Sequence, residues 1–146
     1  MRSEGNTKND EKSVAAMKSN GRSILVVDDH AATARSLAKL LSVAGYGTQI
    51  AHSAAAALNF AATSPPIAAI IDIYLADLSG RILSKTLRER LGPNVPLILL
   101  SGDTSMATIN SLPHVGATYF LSKPIHSSHL LEMLKTWLPG DVAKAN

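Results

Sequence analysis

The sequence predicts an α/β fold built on a parallel sheet with helices on both faces. Three observations carry this. Short uninterrupted apolar runs stand at residues 24–27, 67–71 and 97–100, stretches of helical period lie between them, and Gly or Pro marks many of the changes from one pattern to the other. A strand that is apolar without alternation is buried on both sides, which is the signature of a sheet sandwiched between helix layers.

The elements follow in order. Residues 24–27 (Ile-Leu-Val-Val) form the first strand and run into Asp28-Asp29. A helix over 31–44 sets Ala34, Leu37, Leu40, Leu41 and Ala44 on one face, and Gly45 ends it. Residues 46–51 read as a second, weaker strand. Ser53 is placed to cap an Ala-rich helix over 54–62, which Pro65-Pro66 terminates. The third strand, 67–71, ends at Asp72. Ser79 caps a helix over 80–91 that aligns Leu83, Leu87 and Leu91, and Gly92-Pro93 closes it. The fourth strand, 96–100, ends at Ser101. Residues 104–112 are a poorly marked helix with little apolar periodicity. The fifth strand, 118–122, ends at Lys123-Pro124, and a last helix over 129–138 carries Leu130, Leu131, Leu134, Trp137 and Leu138.

Composition bounds the function. The chain has 146 residues, 46% of them hydrophobic, enough for one core but far from a membrane span of about 20 apolar residues. There is no cysteine, which excludes disulfides, thiolate-bound zinc and a thiol nucleophile. No apolar stretch follows the N-terminal Met, so a secretory leader is not expected and a cytoplasmic location is. The formal charge is +3, but residues 1–22 hold five basic and three acidic groups against nine and eight in the remainder. The nearly neutral remainder lacks the basic run that tracks nucleic acid, and DNA binding is not expected. The helix over 80–91 is the best basic candidate, with Arg81, Lys85, Arg88 and Arg90, yet Leu83 and Leu87 commit one of its sides to packing. Residues 1–21 are expected to be a disordered lead-in, with Met17 an alternative start, 22–139 the domain, and 140–146 a frayed end.

The chemistry collects at the strand ends. Open parallel sheets bind ligands outside the carboxyl ends of their strands, where strand order reverses. There the sequence sets Asp28 and Asp29, then Asp72, Ser101 and Lys123. Each alone has a plain reading: a turn or cap for Asp28-Asp29, a cap for Ser101, a solvated loop residue for Lys123. Together they ask for a cation, because two carboxylates about 4 Å apart repel by roughly 4 kcal/mol at an effective dielectric of 20. A hard divalent ion, Mg²⁺, suits oxygen ligands that must also hold phosphoryl oxygens. With an amine and a hydroxyl added, the set is a layout for phosphoryl transfer onto a carboxylate. His126 and His129 lack a third ligand for a metal site, and His30 beside the acids reads as a surface-loop residue at the rim.

The stretches Ile24-Leu25-Val26-Val27-Asp28-Asp29, Ile70-Ile71-Asp72-Ile73, Leu99-Leu100-Ser101-Gly102 and Phe120-Leu121-Ser122-Lys123-Pro124 resemble the receiver domain of bacterial two-component response regulators. Their order and their gaps of 43, 29 and 22 residues between Asp29, Asp72, Ser101 and Lys123 make the likeness specific over roughly 22–138. The resemblance implies a flavodoxin-like fold with strand order 2-1-3-4-5. It implies Asp72 as phosphoacceptor, with Mg²⁺ held by Asp28, Asp29, Asp72 and the Tyr74 carbonyl. Ser101 and Lys123 would bind the phosphoryl group, and the Lys123–Pro124 bond would be cis. Ser101 and Phe120 would form the signalling switch, although Phe120 stands where Tyr is common and has no hydroxyl. Tyr74 and Asp103 would tune the lifetime of the phosphate. Tyr119 is one residue off the switch position and belongs to the opposite face of the strand.

The implied partners are a sensor histidine kinase or a histidine phosphotransfer protein. Only eight residues follow Leu138, too few for a helix-turn-helix unit. Output is therefore expected through protein contact at the face made by the 104–112 helix, the fifth strand and the last helix, with a homodimer left open. Two competitors stand beside this reading: a receiver-like interaction module that works without phosphorylation, and an aspartyl phosphatase. The phosphatase needs an acid two residues after its nucleophile, and that position is Tyr74.

Overall fold

Strands β1 (Ser23–Val27), β2 (Gly47–Ala51), β3 (Ala68–Asp72), β4 (Leu97–Ser101) and β5 (Tyr119–Ser122) form one parallel sheet in the order β2-β1-β3-β4-β5. The computed structural model describes residues 22–102, 110 and 112–138. Every residue of the three inner strands is buried, which is why they read as unbroken apolar runs, whereas β5 buries only Leu121. Helices α1 (Ala31–Val43), α2 (Ala54–Thr63), α3 (Gly80–Leu91) and α4 (Ser127–Trp137) pack on the sheet, and a short 3₁₀ turn spans Leu112–Val115.

Strand alternation sorts the core into two layers. Ile24, Val26, Ile70, Ile98 and Leu100 meet Leu37 and Leu41 of α1 and Leu130 and Leu134 of α4. Leu25, Val27, Ile71, Leu97 and Leu99 meet Ala57 and Ala61 of α2 and Leu83 and Leu87 of α3. The strand order reverses between β1 and β3, so the crevice at their carboxyl ends is the ligand position of this architecture.

Local chemistry explains the boundaries. Beyond α1, Gly45 takes φ 107°, and the N–H groups of Gly45 and Tyr46 return to the carbonyls of Ser42 and Leu41. That is a Schellman closure, and it removes Tyr46 from the predicted strand and buries it against the helix it ends. Ser53 and Ser79 cap α2 and α3 as the sequence predicts, accepting from Ala56 and Arg81 at 3.1 Å. The last helix begins at Ser127, two residues before its predicted start, because its first turn is polar and carries no apolar period. Ile67, Pro96 and Thr118 lie just outside the strands predicted to include them. Most of the predicted 104–112 helix, the tail over 1–21 and residues 140–146 fall outside the described residues, and Leu112 opens the 3₁₀ turn. Among the described residues, no helix is long and apolar enough to cross a membrane.

Candidate functional site

Four strands deliver their last side chains to one edge. Register places Val27 opposite Ile71, so Asp28 and Asp72 leave β1 and β3 level with each other, and Ser101 lies one step further along β4. Hydrogen bonds continue past the strands: Asp28 N–H to the Ala51 carbonyl, Ile73 N–H to that of Leu100, and Lys123 N–H to that of Ser101 at 2.9 Å. The backbone beneath the site is therefore as tied as the sheet itself.

Asp72 is 2% exposed and is held by two donors. The Lys123 ammonium lies 3.1 Å from Oδ2, and the Tyr74 N–H donates to Oδ1 at 3.1 Å. Asp28, also 2% exposed, accepts from the His30 N–H at 2.9 Å. Asp29 accepts from the Ala76 N–H through Oδ2 at 3.0 Å, while its Oδ1 is buried with no hydrogen-bond partner among the described residues. One ligating atom from each of Asp28, Asp29, His30 and Asp72 falls within 4.8 Å of the others. Three carboxylates against one ammonium leave an excess of negative charge, and one oxygen is unsatisfied. Oxygen donors in that number, with a lone pair unused, fit a hard divalent cation.

Ser101 is buried at the end of β4, and its carbonyl anchors Lys123. The Lys123–Pro124 bond is cis. Phe120 packs with the layer facing α2 and α3. Tyr119 lies on the other face, its ring against His129 and Trp137 of α4, as its position along the strand predicts. The Tyr74 side chain is 68% exposed. A cleft of about 480 Å³ opens beside it, lined by Asp29, Ala76 and Arg81 among others. Asp103 lies outside the described residues.

Sequence reasoning missed three contributors to the site. His30 was read as a rim residue, and it is exposed, yet its ring nitrogen lies 3.3 Å from Asp29 Oδ1 and 3.6 Å from Asp28 Oδ1. Asp77 takes the N–H groups of Ala54 and Ala55 at 3.0 and 3.1 Å, so the loop after Asp72 is latched to the N-terminus of α2. Those bonds, led by the one from Ala54, hold the Asp77 carboxyl below its ordinary range. Gly80 opens α3 directly under the end of β3: a Cβ there would fall on the Asp72 carbonyl oxygen and 2.7 Å from Ile73 Cα. Only glycine admits that approach.

Arg88, one of the four basic residues of the helix weighed for DNA, turns inward. Its guanidinium donates to the carbonyls of Gly116, Gly92 and Val95 at 2.8 Å and to the Thr118 hydroxyl at 3.1 Å. Partial burial lowers its pKa from the ordinary value. Neither Asp77 nor Arg88 carries a local sequence signal, because most of their partners are backbone groups brought near by the fold.

Comparison with known proteins agrees with this architecture. The photosynthetic apparatus regulatory protein RegA of Rhodovulum sulfidophilum is 34% identical over 112 residues, 77% of this chain and 61% of that protein. The acid tolerance regulatory protein ActR of Rhizobium meliloti (strain 1021) is 34% identical over 113 residues, 77% of this chain and 58% of that protein. The chain thus spans about three fifths of the length of these curated relatives. Among solved structures, Vibrio cholerae chemotaxis protein CheY4 matches with TM-score 0.74 at 27% identity, covering 80% of this chain and 98% of that one. The receiver domain of NtrX from Brucella abortus matches with TM-score 0.72 at 30% identity, covering 79% and 97%. The family model for the response regulator receiver domain matches residues 24–135. With its sheet order, its acidic crevice and that match in agreement, the chain belongs to the response regulator receiver domain family.

Proposed function

We propose that the chain is the phosphoacceptor of a two-component system or phosphorelay, taking a phosphoryl group onto Asp72 from a sensor histidine kinase or a histidine phosphotransfer protein. The observation that carries this is the 3.1 Å approach of the Lys123 ammonium to an Asp72 carboxylate whose neighbours are two further acids. An Asp72 oxygen attacks the phosphorus of the donor phosphohistidine. A P–O bond forms as the N–P bond breaks, and the imidazole leaves with the electron pair and takes up a proton. The loose transition state of such transfers needs alignment and charge neutralisation more than acid–base chemistry. Mg²⁺, held by Asp28, Asp29, Asp72 and the Tyr74 carbonyl, would supply neutralisation between the acids and the phosphoryl oxygens.

The remaining roles fall to the chain's own groups. The Tyr74 N–H and the Lys123 ammonium fix the orientation of the Asp72 carboxylate. Once the group is transferred, Lys123 pairs with one phosphoryl oxygen and the Ser101 hydroxyl donates to another. Movement of Ser101 toward the phosphoryl group leaves space that Phe120 can enter, which transmits the state without a phenolic hydroxyl. Tyr74, exposed at the mouth, and Asp103 control water access and hence phosphate lifetime. Chemistry is limited to self-phosphorylation and loss of phosphate at Asp72. Output passes through protein contact at the β5 and α4 side, where Tyr119 is exposed, in the cytoplasm, and DNA contact is no part of the reading.

Incubation with acetyl phosphate and Mg²⁺ tests the proposal by intact mass. One phosphoryl group is expected on the chain and none on Asp72→Asn. No gain, or a gain that survives the substitution, overturns it. Equal partner affinity of the wild type and Asp72→Asn would favour the phosphorylation-independent module instead.

A further inference from the structure

We infer that Asp77 is a positioning residue of the metal site: bonded to the N-terminus of α2, it holds the loop over residues 73–79, and with it the Tyr74 carbonyl, in one place whether or not a cation is bound. The inference rests on the metal site of the proposed function and names the residue that pre-forms one side of it. A carboxylate ligand can swing about its side-chain bonds to meet an ion. A main-chain carbonyl goes only where the backbone puts it, so its use as a ligand requires a fixed loop.

The ties of this loop differ in what they depend on. At its base, the Gly80 N–H donates to the Ile73 carbonyl at 2.8 Å. Inward, the Tyr74 N–H reaches Asp72 Oδ1 at 3.1 Å and the Ala76 N–H reaches Asp29 Oδ2 at 3.0 Å. Both inward ties end on acids whose oxygens a bound cation also draws on. The outward tie is independent of it: Asp77 Oδ1 and Oδ2 accept from the N–H groups of Ala54 and Ala55 at 3.0 and 3.1 Å. Those partners lie 23 and 22 residues away in the chain, so the tie locks one element to another rather than shaping a local turn.

The plainer reading makes Asp77 a cap for α2. That end already has one, since Ser53 stands at the N-cap and accepts from the Ala56 N–H. Asp77 is exposed, and water satisfies the N–H groups of an exposed helix end. Water cannot supply two bonds from one rigid carboxylate, which fix the direction of the loop as well as its distance from α2. Those bonds, led by the one from Ala54, also keep the carboxyl below its ordinary range, so it stays charged at neutral pH.

The test compares three variants of the full chain. Asp77→Ala removes both bonds, Asp77→Asn keeps one acceptor oxygen, and Ser53→Ala weakens the same helix end without touching the loop. Mg²⁺ affinity is read by amide chemical-shift titration, and hydrogen exchange of the Tyr74 and Ala76 amides is read in metal-free buffer. Asp77→Ala is expected to bind Mg²⁺ about tenfold more weakly, the scale seen when the support of a metal ligand is lost, and to exchange both amides faster. Asp77→Asn should show a smaller loss of the same kind, and it answers the question if the alanine chain does not fold. Ser53→Ala should lower Tm with Mg²⁺ affinity at the wild-type value. Unchanged Mg²⁺ affinity in the folded Asp77 variants, or an equal loss in Ser53→Ala, overturns the inference while wild-type Mg²⁺ binding and phosphorylation stand. A wild type that binds no Mg²⁺ overturns the metal site itself, and this inference with it.

Discussion

Two polar centres sit at opposite ends of the sheet, and they are satisfied to different degrees. At the amino ends of β4 and β5, one guanidinium donates to three carbonyls and a hydroxyl drawn from the two connections that lead into those strands. At the carboxyl ends, three acids share one ammonium, and an Asp29 oxygen has no hydrogen-bond partner among the described residues. Burial alone does not separate the two, since both contain partly buried charge. Saturation does: a charge whose hydrogen-bonding capacity is filled by backbone holds the fold, whereas an under-compensated group of like charges is kept for what it binds.

The largest effect expected from this contrast is at Arg88. Arg88→Ala strands three carbonyls at the turns into β4 and β5, and stability should fall by about 2–4 kcal/mol, read by urea denaturation. Mg²⁺ affinity of the folded fraction should stay at the wild-type value. A loss of affinity without loss of stability would reverse the assignment of the two centres.

Asp29→Asn is the opposite case. Its amide oxygen can still accept from Ala76, and one charge leaves the acidic group. In metal-free buffer, stability should rise by about 1–2 kcal/mol through relieved repulsion. Addition of Mg²⁺ should raise Tm of the wild type and leave that of the variant unchanged. A metal-free variant less stable than the wild type would mean that the acids are held for the fold.

Asp77 lies between the extremes: charged, exposed, but bonded to the end of a helix. Its folded pKa is depressed, so its contribution is complete above the ordinary carboxylate pKa of about 4 and is lost as pH falls through the folded value. Asp77→Asn should lower Tm modestly at pH 7, and the difference from the wild type should close in strongly acidic buffer. A gap that stays constant with pH would show that the latch works through shape rather than charge.

Legibility followed the range of the interaction. The inner strands were readable because burial on both faces forces unbroken apolar runs such as Ile24 to Val27, and Ser53 and Ser79 were readable because a cap and its helix are adjacent in sequence. Tyr46 was misassigned to a strand because its burial comes from closing α1, which the run of residues around it does not encode. His129 looked like the start of the last helix because the polar first turn carries no periodicity.

The sequence by itself determined the alternation of strands and helices, and it determined that Asp28, Asp29, Asp72, Ser101 and Lys123 each end a strand. Parallel pairing then brings strand ends to one edge, so their convergence was implied by pattern alone. Only the tertiary structure decided which oxygens are already engaged and which is not, that His30 leans toward the acids, that Asp77 latches one loop to another helix, and that Arg88 points inward. Those are contacts at a few ångströms between distant segments, set by side-chain direction and backbone register. No local periodicity carries that information.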